Sequence, residues 1–176
     1  MSVMTETVLD TEKEYEIVNG IPEEKEMAGA RHGGVGARLL IELGIYLKVN
    51  NLGGVYGADT TFRIGINSRI PDIAFVATER IPLEGEPESG WPFAPDLAVE
   101  IVSPTDLYEK VNAKVREYFD AGVKQVWIVA PEEKTITLYR GQYDAIIYPE
   151  EAELSSEDLF PEFRCKLSEL FKSPRA

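Results

Sequence analysis

One carboxylate stands inside an apolar segment of this chain. Residues 97–102 read Leu-Ala-Val-Glu-Ile-Val. This run is typical of a buried strand that is apolar on both faces apart from Glu100. Burying a carboxylate is costly unless it is paired or binds a metal ion. The fold must therefore supply a partner for Glu100.

The segments before this strand predict a hairpin and a helix. Residues 15–18 predict a strand entering a tight turn at Asn19-Gly20, and a second short strand is expected at about residues 24–27. A helix is predicted over residues 32–47 because apolar residues recur at every fourth position, at Val35, Leu39, Leu43 and Leu47. Glycines are costly in a helix, so those here either allow close packing against a sheet or move the helix start to about residue 35. They are Gly33, Gly34, Gly36 and Gly44.

The rest of the chain alternates between strand and helix signals. Strands are predicted at residues 55–66, 71–76, 125–129 and 135–139, with one more near 145–148. A second helix is predicted from about residue 106 to 121, with Thr105 or Asp106 as its N-cap and Gly122 ending it. We expect irregular structure at 141–164 and a helical turn at 167–171.

These elements predict an α+β (α/β-like) fold, with a mixed sheet flanked by helices and an N-terminal β-hairpin. Strand 97–102, the second helix and strand 125–129 fit a parallel crossover. A chain of 176 residues suggests a single domain. We expect a flexible arm at 1–13, one domain at 14–171 and a tail at 172–176.

Composition excludes several classes of site and location. One cysteine rules out a disulfide framework within the chain, and one histidine rules out a zinc site built from several imidazoles. No segment approaches the ~20 apolar residues that span a bilayer, and the polar N-terminus does not resemble a signal peptide. We therefore expect a cytoplasmic protein without a membrane segment.

The net charge of -13 argues against a general nucleic-acid binder, because phosphate backbones need lysine and arginine to displace counterions. A nuclease with only local basic groups remains compatible with this charge. Carboxylates can also hold a divalent cation, which reverses the local field. The charge therefore speaks against a DNA substrate more than against a metal site.

Three charged residues stand out against apolar surroundings. Asp72 follows Pro71 at the head of an apolar strand, and Lys114 lies on the flank of the sheet-facing side of the second helix, within roughly 60° of Tyr118. Glu100 and Lys114 could form a buried ion pair that only supports the fold. Alternatively, Asp72, Glu100 and the carbonyl of Ile101 would suit Mg²⁺, with Lys114 orienting or helping to deprotonate a water.

Ordered motifs along the chain resemble one known family. They are Tyr-Glu-Ile-Val-Asn-Gly at 15–20, Ile-Pro-Asp-Ile-Ala-Phe-Val at 70–76, Val-Glu-Ile-Val-Ser-Pro at 99–104, Lys-Val-Arg-Glu-Tyr at 114–118, Gly-Val at 122–123, Trp-Ile-Val at 127–129, Pro-Glu-Phe at 161–163 and Leu-Ser-Glu-Leu-Phe at 167–171. This set resembles the large bacterial family named after restriction endonucleases, in the PD-(D/E)xK superfamily, over about residues 14–171.

The resemblance implies a restriction-endonuclease-like fold, a divalent metal (Mg²⁺ or Mn²⁺), phosphodiester hydrolysis and frequent homodimers, but it does not supply a substrate. DNA is the candidate partner, and the net charge of -13 supports it only weakly. Asp72, Glu100 and Lys114 are the catalytic residues it implies, with Asp72, Glu100 and Ile101 at the metal. The chain departs from the signature at Val102, where the motif has lysine. Lys114 then takes the place of that lysine from the adjacent helix.

Further residues are candidates for lining the site. Glu16 is either a hairpin carboxylate or a group at the metal's edge, and His32 either supports the helix start or lines the site. Lys110 is either solvated or contacts phosphate. Tyr118 is expected to pack under the sheet with its hydroxyl at the site rim, and Asp96 to be an exposed residue at the entry to a strand.

Three functions fit these observations. The first is a metal-dependent endonuclease. The second is a non-catalytic dimeric module of the same fold with a regulatory or interaction role, which the acidic net charge favours. The third is a metal-dependent hydrolase of small phosphoesters.

Overall fold

A computed structural model describes residues 10, 13–25 and 28–175 of the chain. The helices are α1 (Ala30–Asn50), α2 (Tyr108–Asp120) and α3 (Leu167–Phe171), and a 3₁₀ turn lies at Thr78–Arg80. The strands are β1 (Tyr15–Val18), β2 (Ile21–Glu24), β3 (Gly53–Gly57), β4 (Phe62–Ile64), β5 (Asn67–Arg69), β6 (Ile73–Ala77), β7 (Leu97–Ile101), β8 (Gln125–Ala130), β9 (Thr135–Gly141), β10 (Asp144–Tyr148), β11 (Glu153–Ser156) and β12 (Phe160–Lys166).

A six-stranded mixed sheet forms the centre, in the order β10-β9-β8-β7-β6-β3. Strands β7 and β8 run parallel, joined through α2 as predicted, and the other neighbours run antiparallel. A second sheet, the hairpin sheet, has the order β2-β1-β5-β4 and includes the N-terminal hairpin. Strand β11 pairs with β12. The predicted mixed sheet flanked by helices is therefore confirmed.

The N-terminal hairpin is confirmed, but its second strand begins earlier than predicted. Asn19 and Gly20 both have positive φ, at 52° and 79°, which a two-residue hairpin turn requires. Pairing therefore resumes at once, with Ile21 opposite Val18, and β2 covers Ile21–Glu24. Residues 26 and 27 of the predicted strand lie outside the described residues, as do residues 1–9, 11 and 12 of the expected arm.

Two apolar clusters cover opposite faces of the central sheet. Alternate residues of β7 enter different clusters: Leu97, Val99 and Ile101 pack on the side of α1, and Ala98 packs on the side of α2. By the same alternation Glu100 faces α2. The buried carboxylate therefore points at the helix that carries Lys114.

Helix α1 is longer than the predicted 32–47 and includes the glycines. It starts at Ala30, so the glycines do not move its start to residue 35. A Cβ on Gly36 would lie 2.8 Å from Cδ1 of Ile101, so this glycine lets α1 approach β7 closely. Asn51 ends the helix in the left-handed conformation.

The start of α2 differs from prediction and its end agrees. The N-cap position is Leu107, which offers no side-chain cap, and Asp106 instead accepts a hydrogen bond from the backbone N–H of Ser103 at 2.6 Å. The predicted cap is therefore wrong, because Asp106 satisfies the turn before the helix. Gly122 adopts a positive φ just after the helix, as predicted.

Three further predictions are corrected. Residues 55–66 do not form one strand, because a turn separates β3 and β4, which belong to different sheets. The strand predicted near 145–148 is confirmed as β10, but the rest of 141–164 is not irregular: it contains β11 and most of β12, which buried Leu154 and Phe160 hold to the core. Asp96 is buried, not exposed, because Arg80 and Lys124 pair with its carboxylate.

No helix among the described residues is long and apolar enough to cross a membrane.

Candidate functional site

A cleft of about 830 Å³ lies at the edge of the central sheet where β6 begins and β7 ends. Antiparallel pairing sets Ile73 opposite Val99, and the same register brings Asp72 level with Glu100. The hairpin, α1 and α2 close the cleft around these two carboxylates. The predicted site residues that line it are Glu16, His32, Asp72, Glu100, Ile101 and Lys114.

Asp72 is held by donors from three parts of the chain. Its Oδ2 accepts a hydrogen bond from the backbone N–H of Ile101 at 2.7 Å and lies 3.3 Å from Nε2 of His32. Its Oδ1 lies 3.3 Å from Nζ of Lys25. Burial raises the pKa of Asp72, but these donors and the lysine charge outweigh burial and bring the pKa below its ordinary value. Asp72 is therefore ionised in the folded protein.

His32 lies in the first turn of α1, and its imidazole faces Asp72. The hydrogen bond to Asp72 raises the pKa of His32 above its ordinary value, although burial and the charge of Lys25 oppose this. The imidazole thus lies at the candidate site itself, in contact with a carboxylate that the sequence had singled out.

Glu100 receives two side-chain partners from α2. Nζ of Lys114 lies 3.0 Å from Oε2, and the hydroxyl of Tyr118 donates to Oε1 at 2.5 Å. Burial raises the pKa of Glu100, and the negative charges of Asp72 and Glu16 add to this effect against the opposing charge of Lys114. The raised pKa of Glu100 therefore comes mainly from burial, which the charge of Lys114 does not outweigh.

Lys114 contacts a second carboxylate, Glu16, at 3.3 Å. Burial lowers the pKa of Lys114, but Glu100 and Glu16 raise it further, and the net shift is upward. The pKa values of both partners are thus raised, that of Glu100 by burial and that of Lys114 by the two carboxylates. The lysine gains from two carboxylates, whereas Glu100 shares its one lysine with Glu16. Lys114 is accordingly a charged donor in the site.

Glu16 is part of an ion-pair network that includes Arg69 and Glu117. Its Oε2 accepts from Nη1 of Arg69 at 2.9 Å, and its Oε1 accepts from the backbone N–H of Ile70 at 2.9 Å. Arg69 also pairs through two nitrogens with the carboxylate of Glu117 on α2. Burial raises the pKa of Glu16, yet Lys114, Ile70 and Arg69 together lower it below its ordinary value. The network thus connects the hairpin sheet to α2 through the Arg69–Glu117 and Glu16–Lys114 pairs.

Two of the predicted lining residues lie elsewhere. Tyr118 is fully buried beneath Glu100 and is not among the residues that line the cleft. Lys110 is exposed on α2, also outside that lining. The contact of Tyr118 is with the carboxylate and not with the open space.

Sequence reasoning missed Lys25, Arg69 and Glu117. Arg69 stands three residues before Asp72 in a short strand, and an arginine at a position that becomes buried is a signal that could have been followed. Lys25 and Glu117 carry no such signal, because each lies in a polar stretch and reaches its partner only through the fold.

The donor chemistry of the site suits a hard divalent cation. Two carboxylates and a main-chain carbonyl are the oxygen ligands that Mg²⁺ takes together with waters. In the part of the chain that the structure describes, however, no group of three or more histidine, cysteine, aspartate or glutamate side chains is arranged to hold a metal ion. A cation here would depend on Asp72, Glu100, the Ile101 carbonyl and solvent.

A family model described as "Putative restriction endonuclease", named Uma2, matches residues 4–168. This covers nearly the whole chain. The chain belongs to the Uma2 family. The resemblance drawn from the ordered motifs is therefore confirmed.

A solved structure similar to this Uma2 chain comes from Anabaena variabilis ATCC 29413 and is described as a putative nuclease belonging to DUF820. The two chains are 23% identical, the match covers 93% of each, and the TM-score is 0.82. The likeness confirms the fold. None of the curated proteins matches the chain.

Proposed function

We propose that this chain is a metal-dependent endonuclease that hydrolyses phosphodiester bonds with Asp72, Glu100 and Lys114. The observation that carries the proposal is the meeting of these three side chains in one cleft, although they come from the residue before β6, from β7 and from α2. Family membership supports a nuclease-like activity. Asp72, Glu100 and the Ile101 carbonyl would hold Mg²⁺ or Mn²⁺.

The bound cation would supply positive charge to the phosphate oxygens and to the leaving oxygen. Before a metal ion binds, Glu100 and Glu16 raise the pKa of Lys114, which favours the orienting role over that of a base. A lysine that keeps its proton can orient a water or stabilise negative charge, but it cannot act as the base. Glu100 and Glu16 hold its Nζ in place for that role.

Nucleic acid is the proposed substrate, and the cleft itself is acidic. Among the residues that the structure describes, six with carboxylates line it against three lysines and one histidine. A phosphate backbone entering this cleft would be repelled unless a divalent cation reversed the local field. The proposal therefore requires strict metal dependence and predicts no binding of DNA in the presence of a chelator.

The test is cleavage of plasmid and single-stranded DNA with Mg²⁺ or Mn²⁺. Asp72→Asn, Glu100→Gln and Lys114→Met should each lower the rate by at least about a hundredfold, the usual scale for removing one such group. Glu24→Gln is the matched control, since Glu24 lines the same cleft but pairs with Lys13. Activity that is equal in all variants would come from a contaminant and would refute the proposal.

A chromogenic phosphodiester separates the polynucleotide substrate from a small one. Cleavage of the diester with no cleavage of any polynucleotide would select hydrolysis of small phosphoesters. The same three variants should then abolish that reaction.

A non-catalytic dimeric module is the second candidate. One observation favours it: every carboxylate oxygen of Asp72 and Glu100 already lies beside a nitrogen or hydroxyl donor of the protein. The two carboxylates are thus compensated without a metal. Calorimetry that detects no Mg²⁺ or Mn²⁺ binding at millimolar metal would support this module over the nuclease.

A further inference from the structure

The ammonium group of Lys25 lies among three oxygens from distant parts of the chain. Its Nζ donates to the carbonyl of Ile70 at 2.8 Å and to the carbonyl of Ala58 at 3.2 Å, and it lies 3.3 Å from Oδ1 of Asp72. The side chain is about one-fifth exposed and lines the cleft. One carboxylate and two carbonyls form an oxygen set of the kind that hard cations occupy.

This arrangement differs from that of the other lysines in the cleft. Lys13 pairs with a single half-exposed carboxylate, Glu24, and Lys114 contacts the two carboxylates Glu16 and Glu100. Two neutral carbonyls hold Lys25 whether or not Asp72 carries a charge. The ammonium is therefore fixed by the backbone, and a metal ion that neutralised Asp72 would not release it.

The position of Lys25 divides the carboxylate of Asp72 into two sides. Oδ1 faces the ammonium, whereas Oδ2 faces Ile101 and His32. A divalent ion about 5 Å from a fixed ammonium loses roughly tenfold in affinity even at the dielectric constant of water, and more in a partly buried cleft. The Oδ1 side of Asp72 thus disfavours any further cation.

We propose that Lys25 is a resident cation of this site: its ammonium takes the Oδ1 side of Asp72, so that the wild-type chain binds one divalent ion fewer than a chain in which Lys25 is neutral. The inference rests on the proposed function in one respect, that Asp72 and Glu100 hold a divalent ion. With that ion present, the wild-type site would hold one divalent ion and one ammonium in place of two metal ions.

The test is calorimetric titration of the full chain with Mn²⁺ alone and with Mg²⁺ alone. Lys25→Met removes the charge at similar side-chain length, and we expect it to bind two ions per chain where the wild type binds one. Lys25→Arg keeps the charge and should bind one. Lys13→Met is the matched control, because Lys13 lines the same cleft and pairs with Glu24. It should behave as the wild type.

Circular dichroism and urea unfolding check that each variant folds. If Lys25→Met does not fold, Lys25→Gln replaces it, since its amide N–H can still donate to a backbone carbonyl without carrying charge.

The outcomes separate this inference from the proposed function. One ion of unchanged affinity in both wild type and Lys25→Met would overturn the role of Lys25 and leave the metal-dependent nuclease standing. No ion in the wild type and one in Lys25→Met would support the resident cation and overturn the metal-dependent nuclease. No ion in either chain would overturn both.

Discussion

Arg69 offers the sharpest test of how this site is held together. Its guanidinium contacts two carboxylates, Glu16 on the hairpin and Glu117 on α2, and its side chain is only 10% exposed. Asn67 adds a second donor to Glu117 at 2.7 Å. Replacing Arg69 by methionine would keep most of its bulk, remove the cation that pairs with Glu117 and leave Glu16 with Lys114 alone.

The expected loss of stability follows from this geometry. Removing one partner of a buried ion pair costs about 3–5 kcal/mol, because the remaining charge stays desolvated. This is a large share of the roughly 5–15 kcal/mol that stabilises a domain. For a domain of this size the melting temperature should fall by roughly 6–20 °C. The loss should also reach the cleft, because Glu16 contacts Lys114.

Urea unfolding followed by the fluorescence of the buried Trp91 and Trp127 measures the change. Arg140→Met is the control, since Arg140 forms an exposed pair with Asp144 and should change stability by less than about 0.5 kcal/mol. If Arg69→Met costs less than about 1 kcal/mol, the ion pairs of Arg69 do not hold the hairpin sheet to α2.

Two further predictions concern α1. Because the pKa of His32 is raised, the folded chain holds the imidazolium proton more tightly than the unfolded chain does. The contribution of His32 to the free energy of unfolding is therefore full below about pH 6.5 and is lost as pH rises through the raised pKa. Urea midpoints should fall less with rising pH in His32→Gln; an identical slope would contradict the His32–Asp72 contact. Gly33→Ala should stabilise the helix by about 0.5–1 kcal/mol, because open space surrounds the added Cβ. Gly36→Ala should not stabilise it, because the added Cβ would meet the side chain of Ile101. Equal gains of the two variants in thermal melts would refute this close approach of α1 to β7.

The parts of the fold with strong periodicity could be predicted from the sequence. The apolar stripe of α1, the strand around Glu100 and the Asn19-Gly20 turn each encode one structure locally. The prediction failed where local signals were weak. Residues 153–166 read as a polar loop with scattered apolar residues, and they form two strands because Phe160 and Phe163 reach the core next to Trp127.

The candidate site was predicted in part for a similar reason. Glu100 in an apolar strand and Asp72 at the head of another are visible as charges out of place. Asp96 lies at the same kind of boundary and was expected to be exposed. Only its contacts with Arg80 and Lys124 show that it is a buried ion-pair centre.

The sequence by itself determined the family and singled out Glu100 and Asp72 as carboxylates next to apolar strand residues, because both conclusions depend on short segments with a local hydrophobic pattern. Tertiary structure alone decided which cations meet these carboxylates. Lys25 reaches the backbone of Ile70 across 45 residues, and Arg69 reaches Glu16 across 53. The periodicity of one strand or helix carries no information about a partner at that distance. The charge balance of the cleft is therefore a property of the assembled sheets. Only in the folded chain does Lys25 join His32 and Lys114 as a group that contacts Asp72 or Glu100.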